Sequence, residues 1–290
     1  MTDKVVITAA LAGSWTFRSS NPNVPHTAKE FVEEAIRCRQ AGAAIVHIHA
    51  RKPDTGEPTT EEKYLRPIVE GIREKTDLLI NLSTGINLKF DPEERGRPIR
   101  IFDPDIASLN PGTMNFCLYD FKKEEFSMDE AYLNPFSLTM DFAKIMQQKK
   151  IKPELECFDI GHVTNTFWLL RKGLLDQPAH YSFVFGVIGG IDFNLDNLNC
   201  FRHAIPPGST WQAIGVGPAC FPTAMAVAIA GGHIRVGLED NIYIDFARRE
   251  KAKGSWDQVE KAVKIAQMAN REPATPAEAR EILHLPKRST

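Results

Sequence analysis

Eight short apolar runs, separated by segments with a helical pattern, constrain the fold of this chain most. The runs are almost continuously apolar for the most part, which is typical of parallel strands that are covered on both faces. Alternation of such strands with helices indicates βαβ units and a parallel sheet. The predicted strands, numbered one to eight along the chain, are Val5–Ala10, Ala44–Ala50, Leu78–Ser83, Ile106–Asn110, Glu154–Asp159, Ser182–Val187, Thr210–Gly215 and His233–Glu239.

Eight strands of this kind predict an α/β fold, a closed (β/α)8 TIM barrel. We expect residues 1–290 to form a single domain with a short helical extension at about residues 275–284. A doubly wound open sheet is the alternative, but it usually has fewer strands, and no G-x-G-x-x-G pattern follows strand one. Barrels of this type carry their chemistry at the carboxyl ends of the strands. The residues at those eight ends are therefore the functional candidates.

Capping motifs predict where helices begin. A capping box consists of Ser or Thr followed three residues later by Glu or Gln. Three boxes begin at Thr27, Thr59 and Ser255, Asn134 precedes a proline that suits the first turn of a helix, and Thr275 opens a final short helix.

The charge and the cysteine content exclude several classes of protein. In 290 residues, 35 Lys and Arg stand against 37 Asp and Glu, for a net charge of −2, whereas a nucleic-acid-binding protein needs a basic face. No apolar run approaches the ~20 residues that span a bilayer, and no cleavage-site pattern follows the first run. The five cysteines never form a C-x-x-C pair, which is typical of a reducing compartment. We expect a cytoplasmic protein without a nucleic-acid or membrane partner.

Strand two predicts a metal site. Because side chains alternate between the two faces of a strand, His47 and His49 share one face, while Val46 and Ile48 share the other. The apolar pair must pack on the helices, so the histidines point into the barrel near its top. There they can converge on one ion, and a catalytic zinc takes three protein ligands and keeps one position open. The alternative is a pair of hydrogen-bonded core histidines.

Strand eight offers the third ligand. By the same alternation Arg235 and Glu239 face inward, and Glu239 lies at the end of the strand, level with the two histidines. Asp240 follows, where the strand gives way to a loop. The alternatives are a surface carboxylate for Glu239 and a helix-capping acid for Asp240.

The ends of strands three and four are rich in hydroxyl groups. Ser83 and Gly85 lie at the end of strand three, and Ser108 lies near the end of strand four. Hydroxyl and N–H groups in such places can bind a carboxylate, although Ser and Thr often do no more than terminate strands.

These residues lie within longer stretches that resemble the β-keto acid cleavage enzymes. The resemblance extends over nearly the whole chain, and the block that contains Arg235, Glu239 and Asp240 is its most specific part. The stretches that carry the resemblance are Thr8–Ala10, Asn21–Pro25, His47–Arg51, Ser83–Gly85, Leu109–Phe116, Gly231–Asn241 and Ala274–Arg280.

The resemblance implies a zinc ion held by residues that match His47, His49 and Glu239. It implies a reaction of a β-keto acid with acetyl-CoA that gives acetoacetate and a new acyl-CoA, in a homo-oligomer. An acid matching Asp240, supported by an arginine matching Arg235, would remove a proton from C2 of the keto acid. Hydroxyls that match the two strand-end serines, with N–H groups near the glycine, would hold the substrate carboxylate.

The place of Arg235 is open on spacing alone. It is four residues before Glu239, which is ~13 Å along a straight strand. Either the long side chain or a bulge must bring it to Asp240. The alternative is a buried arginine neutralised by core carboxylates such as Glu156.

Trp15 differs from the residue that the family's first-described activity, the cleavage of 3-keto-5-aminohexanoate, requires at this position. In that activity a glutamate after strand one receives the substrate's ammonium group, and Trp15 occupies the matching position here. An indole offers an apolar wall or a π-face instead. We therefore expect a neutral β-keto acid, or one with a trimethylammonium group, in which case Phe17 and Trp211 could complete an aromatic cage.

Two other classes of function compete with this hypothesis. A metal-dependent barrel hydrolase of the amidohydrolase type has its H-x-H pair on strand one and further histidines on strands five and six. Here the pair is on strand two, and strand six ends without a histidine. The other class is a non-catalytic binding protein built on a barrel. Only the cleavage enzyme requires acetyl-CoA.

Overall fold

The barrel predicted from the sequence is present and closed. The structure is a computed structural model that describes residues 4–120 and 123–286. Each barrel strand pairs in parallel with the strands before and after it in the chain, and the sixth, seventh and eighth strands continue round to the first. In chain order the barrel strands are β1 (Ile7–Ala10), β2 (Ile45–Ile48), β3 (Leu79–Leu82), β4 (Ile106–Leu109), β5 (Lys152–Cys157), β6 (His180–Phe185), β7 (Thr210–Gly215) and β8 (His233–Val236).

Helices surround the barrel and bury the outward faces of the strands. Val46 and Ile48 of β2, for example, belong to the same buried cluster as Phe31 and Ile68 on two neighbouring helices. The helices are α1 (Ala28–Ala41), α2 (Glu62–Lys75), α3 (Pro92–Ile101), α4 (Phe136–Gln148), α5 (Ile160–Arg171), α6 (Leu195–Ala204), α7 (Cys220–Ala230), α8 (Ser255–Met268) and α9 (Pro276–Ile282). Within the described residues, none of them is long and apolar enough to cross a membrane.

The interior of the barrel is partly polar, and its polar groups bind one another. Thr8 Oγ1 donates to Gln212 Oε1 at 3.2 Å, and Gln212 Nε2 donates to Ser182 Oγ at 3.1 Å. Asn81 Nδ2 donates to Glu154 Oε2 at 2.8 Å. Because buried polar groups are costly unless they are paired, this network stabilises the level of the barrel immediately below its top.

The lower end of the barrel is closed by the C-terminal extension. The short segments Lys4–Val5 and Glu272–Pro273 pair in parallel. After them, α9 packs Ala279 against a small cluster of apolar residues that line the bottom of the barrel. The top is therefore the open end.

Two of the capping predictions are confirmed, and three are wrong. Thr27 and Thr275 form complete capping boxes for α1 and α9. Helix α2 instead begins at Glu62 without a side-chain cap, so Thr59 lies outside it. Ser255 is the first residue of α8, and its hydroxyl donates to the Ala10 carbonyl of β1 and accepts from the amide of Leu238, in the turn after β8. Asn134 is likewise not the cap of α4, which follows Pro135.

Strand eight is shorter than predicted, because a glycine ends it. The strand stops at Val236, and Gly237 has a φ of +150°, a conformation that L-residues rarely adopt. The amides of Asp240 and Asn241 then both donate to the Gly237 carbonyl. The chain thus turns tightly before Glu239, instead of continuing the strand through it.

The sequence did not predict a β-hairpin between β4 and α4. Met114–Asp120 pairs with Glu125–Tyr132 in antiparallel fashion. The Cys117 amide donates to the Ile188 carbonyl at 3.2 Å, which attaches the hairpin to the loop after β6. The hairpin therefore covers part of the open end of the barrel.

We predict that Gly237→Ala destabilises the protein by at least about 2 kcal/mol, the scale of cost for a strained backbone position. A Cβ at this position would lie 2.1 Å from the Ala10 carbonyl oxygen, in addition to requiring the unfavourable φ. Gly208→Ala is the matched control, because Gly208 also has a positive φ but open space around it. Urea unfolding of both variants measures the difference, and equal losses of stability would contradict the role of the close approach.

Candidate metal and substrate site

Two histidines and a glutamate meet at the top of the barrel. The Nε2 atoms of His47 and His49 lie 3.1 Å apart. Glu239 Oε1 lies 3.6 Å from the Nε2 atom of His47 and 3.4 Å from that of His49. The three residues form a group that could hold a metal ion. The structure thus brings together the three ligands that were predicted from two strands.

The dimensions of this group fit a divalent metal such as zinc. Ligand atoms at about 2.0–2.1 Å from a tetrahedral zinc ion lie about 3.3 Å from one another, close to the three separations above. Burial lowers the pKa of His47 well below its ordinary value, so the imidazole is neutral, as a ligand must be. Glu239 Oε2 is buried, and the described residues offer it no hydrogen-bond partner. This carboxylate therefore has an acceptor to spare for a metal ion.

Two glycines allow Glu239 to approach the histidines. The turn at Gly237 directs the chain back over the barrel mouth. A Cβ on Gly13, in the loop after β1, would lie 2.4 Å from Glu239 Cγ. The side chain of Glu239 therefore occupies space that exists only because residue 13 has no side chain of its own.

Arg235 lies beneath the three candidate ligands and contacts four carboxylates. Its Nε and Nη2 atoms each donate to one oxygen of Asp240, both at 3.0 Å. Nη2 also donates to Glu239 at 2.5 Å, while Nη1 donates to Glu156 at 3.2 Å and lies 3.7 Å from Glu154. Both structural possibilities for this arginine hold: it supports Asp240, and it is neutralised by core carboxylates.

The surrounding charges divide these carboxylates into different protonation states. Burial and the neighbouring Glu156 raise the pKa of Glu154 to about 8. Burial also raises the pKa of Asp240, to about 6, against the attraction of Arg235. Although burial opposes ionisation of Glu239, the adjacent guanidinium of Arg235 lowers its pKa. At neutral pH Glu239 is therefore an anion, Glu154 is largely protonated, and Asp240 is ionised but basic for an aspartate.

A cavity of about 430 Å³ opens beside the three candidate metal ligands. Its wall includes His49, Glu239 and the Arg235–Asp240 pair at one end. Ser83 and Gly85 also line it, and the Gly85 amide donates to the Ser83 hydroxyl at 3.0 Å.

Ser108, predicted to hold the substrate, is fully buried and is not part of the cavity wall that the described residues form. Its hydroxyl instead accepts from the Thr84 amide at 3.1 Å. Thr84 Oγ1 in turn donates to the Ser108 carbonyl oxygen at 2.7 Å. Ser108 thus shapes the loop after β3, and any effect on a ligand passes through that loop.

Trp15 lies on the cavity wall, with 38% of its surface exposed. Its ring neighbour is Phe116 of the hairpin, at 6.3 Å between centroids. The other two aromatic residues considered for a cage lie elsewhere: Phe17 stacks under the guanidinium of Arg51, and Trp211 stacks on the buried Phe183. The wall at Trp15 is thus completed by the hairpin.

Sequence reasoning missed several residues of the site. Phe116 and Tyr132 reach the cavity from the hairpin, and Asn110 reaches it from the end of β4. Ser14 lies 3.0 Å from the Nδ1 atom of His49. The alternation along β2 could have indicated that His49 needs a partner, but which loop supplies it depends on how the strand ends meet in three dimensions.

Comparison with known proteins bears on what this site does. A model of the beta-keto acid cleavage enzyme family matches residues 4–285. A 3-keto-5-aminohexanoate cleavage enzyme from Fusobacterium nucleatum subsp. nucleatum is 38% identical over 288 residues, covering 99% of this chain and 100% of the relative. A 3,5-dioxohexanoate:acetyl-CoA acetone transferase from Paraburkholderia graminis is 33% identical over 299 residues, with coverage of 97% and 96%.

Among solved structures, the apo structure of ObcA superposes with a TM-score of 0.75. The two chains are 22% identical, and the match covers 91% of this chain and 66% of ObcA. At that identity the likeness shows a shared fold, which supports the barrel architecture described above.

We predict that the protein binds about one divalent metal ion per chain, the stoichiometry of a three-ligand site. His47→Ala combined with His49→Ala should abolish binding, because Glu239 alone cannot hold the ion. His203→Ala, which removes an exposed histidine of α6, is the control and should retain the metal. Elemental analysis of the purified variants checks this, and a full metal content in the double variant would contradict the assignment.

Proposed function

Because the chain belongs to the β-keto acid cleavage enzyme family, we propose that it is a zinc-dependent enzyme that converts a β-keto acid and acetyl-CoA into acetoacetate and a new acyl-CoA. The observation that carries the proposal is a single cavity whose wall includes His49 and Glu239 of the candidate metal group together with the Arg235–Asp240 pair. Candidate metal ligands and a basic carboxylate thus face the same cavity. The hydrolase alternative has no comparable support.

The candidate zinc ligands are His47, His49 and Glu239. A zinc ion bound there would act as a Lewis acid that stabilises negative charge on a substrate carbonyl oxygen near neutral pH. The protein supplies two imidazoles and one carboxylate, a ligand set that catalytic zinc sites use.

Asp240 is the proposed base. Its pKa of about 6 leaves it ionised at neutral pH and makes it a stronger base than an ordinary aspartate. The fork of Arg235 fixes both of its oxygens. In the proposed reaction Asp240 takes a proton from C2 of the keto acid, and C2 then bonds to the carbonyl carbon of acetyl-CoA.

The remaining steps exchange the acyl groups. CoA leaves as the new carbon–carbon bond forms, and it then attacks the original ketone carbon. Cleavage between that carbon and C2 leaves the remainder of the substrate as an acyl-CoA, and C2 takes back the proton held by Asp240 to give acetoacetate. Ser83 and the backbone near Gly85 are the proposed contacts for the substrate carboxylate, supported by Ser108 through the loop after β3.

The compartment and the assembly are part of the same proposal. The five cysteines are free, which suits a reducing cytoplasm. The family resemblance leads us to propose a homo-oligomer.

The cavity also bears on the choice of substrate. Its carboxylates are Glu156, Glu239 and Asp240, and each of them contacts Arg235. A substrate ammonium would thus find no separate anion on the described wall. Several aromatic residues line the wall, but among the described residues the ring neighbour of Trp15 is Phe116, and two rings do not make a closed cage at that position. We therefore propose a neutral β-keto acid as the substrate, with a trimethylammonium substrate as the second candidate.

We predict that Asp240→Asn retains zinc but lowers kcat by about 10²–10⁴-fold, the usual cost of losing a general base. The amide keeps the shape of the carboxylate but cannot take the proton. Asp77→Asn, which changes a surface partner of Arg39, should leave kcat unchanged. Steady-state kinetics and metal analysis measure both effects. Exchange of the C2 proton of bound substrate at the wild-type rate in Asp240→Asn would show that another group is the base.

We predict that the wild-type enzyme prefers a neutral β-keto acid to 3-keto-5-aminohexanoate, and that Trp15→Glu reverses or narrows this preference. A carboxylate at this position can bind a primary ammonium by charge-assisted hydrogen bonds, whereas an indole cannot. Values of kcat/KM for neutral, trimethylammonium and primary-ammonium substrates check this, with Trp15→Gln as the uncharged control. A primary-ammonium substrate that is already the best one for the wild type, with no further gain in Trp15→Glu, would contradict this role of Trp15.

A further inference from the structure

Ser14 joins His49 to the backbone of a neighbouring loop. Its Oγ lies 3.0 Å from Nδ1 of His49 and donates to the carbonyl oxygen of Ile86, in the loop after β3. Ser14 is 4% exposed and His49 is 5% exposed, so little water can replace either bond. Loops that follow three successive strands therefore meet at one hydroxyl group.

The direction of each hydrogen bond follows from the chemistry of the groups. A carbonyl oxygen only accepts, and a hydroxyl has one proton, so that proton of Ser14 points to Ile86. The bond with His49 must then be donated by Nδ1–H. A metal ligand must be a neutral imidazole, which carries a single proton; with that proton on Nδ1, Nε2 of His49 has a free lone pair. Nε2 is the atom that faces His47 and Glu239.

We infer that Ser14 is a positioning residue that holds His49 in the tautomer able to bind a metal ion. The inference rests on the proposed metal centre, and it adds a residue to which neither the sequence analysis nor the family resemblance gives a role. Ser14 touches no reacting atom; it acts by fixing the proton on the far side of the ring and by fixing the ring plane.

The neighbouring ligand offers an internal comparison. Within the described residues no hydroxyl or carbonyl accepts from Nδ1 of His47, whose polar neighbour is the Asn81 amide. Among the described residues, a hydroxyl group therefore accepts the Nδ1 proton of His49 but not that of His47. Loss of Ser14 should change the tautomer of His49 and leave that of His47 as it is.

The test uses the full chain in its metal-free form, labelled with ¹⁵N at histidine. Long-range ¹H–¹⁵N spectra show which ring nitrogen carries the proton, and single His→Gln variants assign the signals. In the wild type we expect the proton of His49 on Nδ1. In Ser14→Ala this fixed tautomer should be lost, because the nearest acceptor has been removed.

Zinc affinity, measured by competition with a chelator, gives the second measurement. Removal of a group that orients a ligand typically weakens metal binding by about 10–100-fold, and we expect a loss of this size in Ser14→Ala. Ser182→Ala is the matched control, since Ser182 is another buried serine whose hydroxyl accepts from Gln212 in the barrel interior. It should bind zinc as the wild type does, and thermal unfolding of the two metal-free variants separates weaker binding from general instability.

Two results would overturn the inference. One is wild-type zinc affinity in Ser14→Ala, and the other is a metal-free wild type in which His49 carries its proton on Nε2. The spectra also separate this inference from the proposed metal centre. A wild-type protein that binds no zinc contradicts that centre, whereas the position of the His49 proton still decides the role of Ser14.

Discussion

The buried guanidinium of Arg235 is the group on which the rest of the site depends. It is 3% exposed and contacts Glu154, Glu156, Glu239 and Asp240. Removal of one member of such a buried cluster leaves uncompensated charge, which is far more costly than the loss of a surface ion pair. One guanidinium cannot neutralise four carboxylates, and the raised pKa of Glu154 reduces the excess. A divalent cation at the histidines would balance much of the remainder.

The same cluster determines the geometry of the proposed chemistry. Arg235 is near the end of β8, Glu156 comes from β5, and Asp240 follows the turn that Gly237 begins. Because the guanidinium is planar and its donors are fixed, the bidentate pair orients the Asp240 carboxylate beside the candidate metal ligands. Charge balance and the orientation of the base are thus two consequences of one buried residue.

Sequence pattern predicted the parts of the site that follow from strand geometry. The count of eight strands gave the barrel, and alternation along the predicted second strand placed His47 and His49 on the inner face, although β2 itself ends at Ile48. The distance estimate for Arg235 assumed a straight strand through Glu239, but the strand ends at Val236 and the chain turns back. Glu239 therefore reaches the histidines from a turn. Local pattern does not contain that turn, because it depends on the close approach of Gly237 to the Ala10 carbonyl of another strand.

Contacts between separate loops were the least predictable from the sequence. The hairpin at residues 114–132 has weak alternation, and its attachment to the loop after β6 is visible only in three dimensions. Ser108 and Ser83 looked equivalent in the sequence, yet one supports a loop and the other lines the cavity. Ser14 acquires its partners, His49 and Ile86, only when three strand ends meet at the barrel top.

The fate of the acetyl group tests the central claim most directly. The enzyme would be incubated with a neutral β-keto acid and acetyl-CoA labelled with ¹³C in both acetyl carbons, and the products would be analysed by NMR and mass spectrometry. The proposed reaction predicts that the label appears in the ketone and methyl carbons of acetoacetate, together with an unlabelled acyl-CoA derived from the keto acid. Label found in free acetate, or retained in acetyl-CoA while the keto acid is consumed, would contradict it.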